Sequence, residues 1–263
     1  MTDLELVELT DDFSCYVPPG GLGAGIFSEI RFIHSEVWTS RVYLAHGIDL
    51  PDDAVVLDIG AHVGLFSLFV KHEHPGATVL AFEPIPVTAQ ALRANLELHE
   101  VDGVHVANCG LGATHEDAVE FSFYPGVPGN STRYPEQKNR SVELSGQVFG
   151  PQGAAEAKRQ FDRREVVTTP VERLSRMLAH HPGLGEVDLV KIDVEGAEMD
   201  VLDGIDEADW PRFRQFVIEV QDLDGQVDRV RACLEAHDYD VNVVTPQGMP
   251  EALLYRAVYA IRK

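Results

Sequence analysis

Four short stretches of the chain hold residue types that do chemistry. Asp58-Ile59-Gly60-Ala61-His62-Val63-Gly64 joins an apolar run to an amphipathic one. Gly60 and Gly64 let a backbone turn sharply and come close to a ligand. Amides at the start of a following helix would face that ligand with positive partial charge. Glu83 lies 25 residues after Asp58 and ends the next apolar run. An acid there can accept hydrogen bonds from both hydroxyls of a ribose, the logic of nucleoside binding in doubly wound folds. Lys191, Asp193 and Glu195 stand at alternate positions, and Glu219 follows in a further apolar run.

The first loop narrows the cofactor. It lacks the G-x-G-x-x-G pattern of a dinucleotide site, and the chain has no P-loop Lys-Ser/Thr to cradle a triphosphate. An acidic loop suits a cationic cofactor better than a pyrophosphate. S-adenosylmethionine carries a sulfonium and an ammonium, and its carboxylate can meet the helix start near Gly64–Ser67. A third strand ends at Asn108-Cys109. Asn108 or the backbone of Cys109 is placed to bond adenine, and a plain turn Asn is an equally good account of Asn108.

Period two puts Lys191 and Asp193 on one face of a strand. A Lys inside an apolar strand needs a partner, and Glu219 in the neighbouring strand is the expected counterion. The pair reads either as a structural ion pair or as a polar floor beneath a transferred methyl group. Methyl transfer needs alignment, and an alcohol must also lose a proton as it attacks. Asp193, Glu195, Glu219 and His62 are the available bases. Asp193 ranks first because it caps the strand expected to face the methyl, though it could instead bind the cofactor's amino group. Asp193, Glu195 and Glu219 read second as oxygen ligands of Mg²⁺; no metal ligand is assigned.

These residues need a scaffold. Residues 4–17 alternate as a short strand or hairpin, Pro18-Pro19-Gly20-Gly21 breaks the chain, and Phe27 to Ala45 has helical spacing. From Ala54, strands and helices alternate: 54–60, 65–71, 78–83, 86–98 and 104–108. That pattern predicts a parallel sheet with helices on both faces. Residues 118–124 add a strand. The stretch from Pro125 to about Arg164 is rich in Gly, Pro, Ser and Arg and weakly periodic, so it reads as an insertion or lid. Strands at 166–171, 187–194, 215–220, 241–244 and 253–261 complete seven or more. The expected division is an N-terminal strand and helix cap over 1–50 and one α/β domain over 51–263, its acceptor-side insertion at about 125–165.

The charge excludes whole classes. The chain has 263 residues, with 21 Lys and Arg against 43 Asp and Glu, a net −22. Such a protein repels nucleic-acid backbones and anionic membrane surfaces. No apolar window is long enough to span a bilayer. Cys15, Cys109 and Cys233 are few and scattered, which points to a reducing, cytoplasmic setting without disulfides. Arg133 to Arg176 holds nine Lys/Arg and six Asp/Glu, a local +3. It reads first as a solvated face and second as a docking patch for an anionic, carrier-bound acceptor.

Asp58-Ile-Gly-Ala-His-Val-Gly, Phe82-Glu83-Pro84, Lys191-Ile-Asp193-Val-Glu195-Gly196-Ala-Glu198 and Asn130-Ser131-Thr132 together resemble the FkbM family of S-adenosylmethionine-dependent methyltransferases, over about residues 50–222. The resemblance implies a class I methyltransferase fold: a Rossmann-like three-layer α/β sandwich with a mostly parallel seven-stranded sheet whose last strand is antiparallel. It implies methylation of a hydroxyl on a secondary metabolite such as a polyketide, a glycoside or a carrier-bound intermediate. His62 stands where Asn is common and Gln221 where His is common. The expected cofactor-binding set is Asp58, Gly60, Ala61, His62, Gly64, Ser67, Glu83, Pro84, Asn108, Cys109 and Asp193. The expected catalytic set is Asp193, Glu219, Lys191, Glu195 and His62. The alternatives are an N- or C-methyltransferase and, outside that class, a non-catalytic nucleoside-binding module or an NAD-dependent oxidoreductase.

Overall fold

The computed structural model describes residues 4–19 and 24–263. Gly20 and Gly21 of the expected break lie outside the described residues, as does the start of the N-terminal stretch. The chain opens with a hairpin in which β1 (Glu5–Thr10) pairs antiparallel with β2 (Phe13–Val17). Alternation turns Val7, Leu9, Cys15 and Val17 inward, where they pack with Ile30 of α1 (Ala24–His34). The helix expected to reach Ala45 is shorter. It ends at His34 in a widened π-type turn, Ser35–Thr39, and Arg41 then takes a left-handed φ of 51°. That path brings Val37 and Tyr43 onto the sheet, where both are buried.

The central elements follow in βα alternation: β3 (Val55–Ile59), α2 (Leu65–Glu73), β4 (Thr78–Phe82), α3 (Pro86–Leu98) and β5 (Val104–Ala107). Pro86 opens α3, where its missing N–H costs nothing. Next come β6 (Gly110–Leu111), β7 (Glu116–Phe123), α4 (Glu136–Phe161) and β8 (Glu165–Glu172), with β6, β8 and β7 forming a side sheet. The chain closes through α5 (Leu174–Ala179), β9 (Leu189–Ile192), α6 (Glu198–Asp203), β10 (Gln215–Gln221), α7 (Gln226–Ala236), β11 (Tyr239–Val244) and β12 (Tyr255–Arg262).

The main sheet has seven strands in the order β11-β12-β10-β9-β3-β4-β5. β10, β9, β3, β4 and β5 are parallel, and β12 runs antiparallel to both its neighbours. Successive residues of each strand feed opposite cores. Val56, Val79 and Leu189 pack with Phe66, Phe69 and Val70 of α2, whereas Leu57, Leu80 and Val190 pack with Val227, Val230 and Leu234 of α7. This is the class I methyltransferase architecture, three layers deep. Strand order reverses between β3 and β9, and ligands of such sheets bind at that reversal, beyond the carboxyl ends of the strands.

The stretch expected as an irregular insertion contains a long helix. α4 runs from Glu136 to Phe161 with a break at Gly150, φ 72°, just before Pro151. Only Lys138 and Ser141 in it are buried, so it has no apolar stripe for periodicity to reveal. Among the described residues no helix is long and apolar enough to cross a membrane, and the three cysteines are free.

Candidate active site

A cavity of about 340 Å³ opens at the reversal point, at the lower end of the usual range for small-molecule sites, ~300–1,000 Å³. Gly60, Glu83, Asp193 and Glu219 reach it from the ends of β3, β4, β9 and β10.

Its floor is ionic. Lys191 is 4 % exposed; its Nζ donates to the Gly60 carbonyl at 2.6 Å and lies 3.2 Å from Asp58 Oδ1 and 3.8 Å from Asp193 Oδ2. The expected counterion, Glu219, is not the partner. Asp58 stands opposite Lys191 in the parallel register, whereas β10 sets Val217 there. Burial alone would lower the Lys191 pKa, but Asp58 and Asp193 more than reverse that and raise it. The ammonium therefore stays charged and holds the first loop to β9 through Gly60.

One wall carries Glu83. Its two oxygens accept the backbone N–H groups of His62 and Ile85, each at 2.9 Å. Burial pushes its carboxyl up to about 7. Each oxygen keeps a lone pair for a ligand hydroxyl. Ala61, His62, Pro84 and Cys109 also line the cavity. Asp58, Gly64, Ser67 and Asn108, expected to touch the cofactor, stand behind the wall. Asp58 is fully buried and accepts a hydrogen bond from Ser67 Oγ at 2.7 Å. Gly64 caps α2 with a φ of 90°. The Asn108 amide donates to the carbonyls of Glu83 and Pro84, at 2.8 and 3.0 Å, and so has no N–H left for adenine. These four brace the loops that line the cavity.

The far wall was not visible as a motif. The N-terminal segment supplies Glu29, Glu36 and Tyr43, seven residues apart, and α4 supplies Ser145. Tyr43 donates to Asp193 Oδ2 at 3.3 Å. Lys138 bonds Glu195 at 2.5 Å, and Glu195 sits at a strained φ of 54°. Glu219 has no hydrogen-bond partner among the described residues that would tie it down. Burial raises its pKa well above the ordinary carboxylate value, and Asp193 and Glu36 push the same way. Asp193 is raised by burial too, with Lys191 pulling it back. Burial holds Glu36 at about 7. His62 is kept neutral, its pKa lowered to about 3 by burial and Lys191.

These walls fit S-adenosylmethionine. Glu83 would take the ribose hydroxyls, the apolar slot from Pro84 to Cys109 the base, and Asp193 the ammonium. A test of fit is Gly60. A Cβ built there meets the Asp193 carbonyl oxygen at 1.8 Å, and its φ is 77°, so only glycine lets the loop pass this close to β9. Gly60→Ala is expected to cost about 2–4 kcal/mol in urea unfolding and to weaken cofactor binding. Stability within about 0.5 kcal/mol of wild type would contradict it. Among the described residues no three His, Cys, Asp or Glu side chains converge as a metal site, so the Mg²⁺ reading gains no ligand set. The basic stretch is partly neutralised locally: Arg159 pairs with Glu156, and Arg163 with Glu165 at 3.1 Å.

A family model described as a methyltransferase FkbM domain matches residues 58–241. "Methyltransferase 1" of Beauveria bassiana is 39 % identical over 254 residues, 96 % of either chain. "31-O-demethyl-FK506 methyltransferase FkbM" of Streptomyces tacrolimicus is 40 % identical over 220 residues, 81 % of this chain and 83 % of that one. Among solved structures, a methyltransferase FkbM from Methylobacillus flagellatus superposes with a TM-score of 0.55 at 15 % identity, over 86 % of this chain. This chain spans 47 % of that one.

Proposed function

The chain belongs to the FkbM methyltransferase family, and on that premise we propose that it places the methyl group of S-adenosylmethionine on a hydroxyl oxygen of a small-molecule secondary metabolite. That it is an S-adenosylmethionine-dependent methyltransferase follows from the family; the oxygen acceptor is our reading. The name of the Streptomyces relative, which denotes a methyltransferase acting at an O-demethyl position, supports it.

One observation carries the reading: the Glu219 carboxylate lines the cavity with no hydrogen bond from the described residues to occupy it, and burial raises its pKa. A neutral hydroxyl is a poor nucleophile until its proton has somewhere to go, and a base matched to neutral pH is the group that takes it. Sequence alone ranks Asp193 first. Asp193 is held by Tyr43 and lies beside Lys191, which supports a part for it in orienting an ammonium and, in this reading, leaves the base's role to Glu219. When bound, the donor supplies an electrophilic methyl group on positively charged sulfur. Glu83 would hold the sugar end, Asp193 the amino-acid end, and Glu219 would accept the proton that the acceptor oxygen gives up as its bond to the methyl carbon forms and the carbon–sulfur bond breaks, the sulfur leaving as the neutral thioether of S-adenosylhomocysteine. Lys191 fixes the Gly60 turn against Asp193, so the two grips keep their spacing.

The test is product analysis after incubation with the donor and a panel of polyketide and glycoside alcohols. The expected product carries one added methoxy group by mass and NMR. Methyl appearing on nitrogen or carbon, with every alcohol unchanged, would contradict the oxygen assignment.

A further inference from the structure

Two buried side chains that line the cavity carry polar atoms with no hydrogen-bond partner among the described residues. Glu29, on α1, has a side chain only 9 % exposed. Its Oε1 accepts from the Asn130 amide at 3.2 Å, but Oε2 has no hydrogen-bond partner among the described residues. Facing it at 4.0 Å is His62 Nε2, and neither ring nitrogen of His62 has a hydrogen-bond partner among the described residues. Both residues line the cavity. Buried polar atoms left unpaired are costly, and a ligand that completes the pair would remove that cost.

We infer that Glu29 and His62 form a subsite for a hydroxyl group of the acceptor other than the one that is methylated. The inference rests on the methyltransferase reading of the cavity. A hydroxyl group can donate to one of these atoms and accept from the other. Burial pushes the Glu29 carboxyl up to about 8, while Gly129, Asn130 and Lys138 pull it down and Glu195 pushes it up. With His62 also neutral, the pair presents no net charge at neutral pH, and so suits an alcohol over an ammonium or a carboxylate. The place of Glu29 sets it on the acceptor side. Asn130, which bonds Glu29, also bonds Lys138 of α4 at 3.2 Å. Glu29 is thus held by elements outside the main sheet, whereas Glu83 and Gly60 belong to the strand ends.

Saturation-transfer NMR on protein loaded with S-adenosylhomocysteine tests this, with cyclohexanol, cyclohexylammonium and cyclohexanecarboxylate as probes. Cyclohexanol is expected to bind best. Glu29→Ala should weaken its signal at least about fivefold, and Glu29→Gln, which keeps a neutral donor, should retain it within about twofold. S-adenosylhomocysteine affinity, measured by calorimetry on the same samples, should stay within about threefold in both variants. An undiminished cyclohexanol signal in Glu29→Ala, a preference for either charged probe, or loss of S-adenosylhomocysteine affinity in Glu29→Ala would overturn the subsite. Failure of the wild-type protein to bind S-adenosylhomocysteine at all would instead strike the methyltransferase reading itself.

Discussion

Lys191→Met is expected to lower stability by about 3–5 kcal/mol in urea unfolding, because it leaves Asp58 buried and without its cation. That is a large share of the ~5–15 kcal/mol that holds an ordinary domain folded. Asp58 is 0 % exposed, and its partners are Ser67 Oγ and the Lys191 ammonium. A hydroxyl cannot neutralise it. The favourable Coulomb energy of the pair does not set the size of the effect; the stranded charge does. The double variant Asp58→Asn with Lys191→Met should therefore recover much of the loss, since neither side then carries a buried charge. A Lys191→Met loss below about 1 kcal/mol would show that water reaches Asp58 and that the floor is not the ionic clamp described.

Glu219→Gln should cut kcat by about 10²–10⁴-fold, the usual worth of a positioned base, while donor affinity stays within about threefold. The amide keeps the shape and removes the proton acceptor. The pH profile sharpens the test. A base works only when ionised, and Glu219 has a raised pKa. Wild-type kcat should therefore rise with pH through that pKa and level off above it, and Glu219→Gln should lose this rise. If Asp193→Asn abolishes the rise and Glu219→Gln leaves kcat within about threefold, the two roles are exchanged.

Much of this was legible in the residues. Val55 to Ile59 is an uninterrupted apolar strand apart from Asp58, the mark of a strand covered on both faces, and the Gly60 turn follows from its glycines. Lys191 and Asp193 announced a polar floor by their alternation. Direction was less legible. Asp58 and Gly64 sit in the same motif as Gly60 and His62, but register and helix geometry turn the first two away from the cavity, and no spacing rule shows that. Nor could the sequence show that Lys191 meets Asp58 and not Glu219, because the order of β3, β9 and β10 decides it. The far wall was hidden for a different reason. Glu29, Glu36 and Tyr43 come from a segment that touches the site only through tertiary packing, and their seven-residue spacing is too common to notice. α4 escaped because Gly146, Gly150, Pro151 and Gly153 look like loop composition, and its burial is confined to two polar residues.

Everything rests on the proposed grip of Gly60, Glu83 and Asp193 on the methyl donor. Titration calorimetry with S-adenosylhomocysteine addresses it without knowledge of the acceptor. The account predicts saturable binding at a single site, weakened at least about tenfold by Glu83→Ala, a loss of ~1.4 kcal/mol or more. Absence of binding to the folded wild-type protein, or equal affinity in Glu83→Ala, would contradict it.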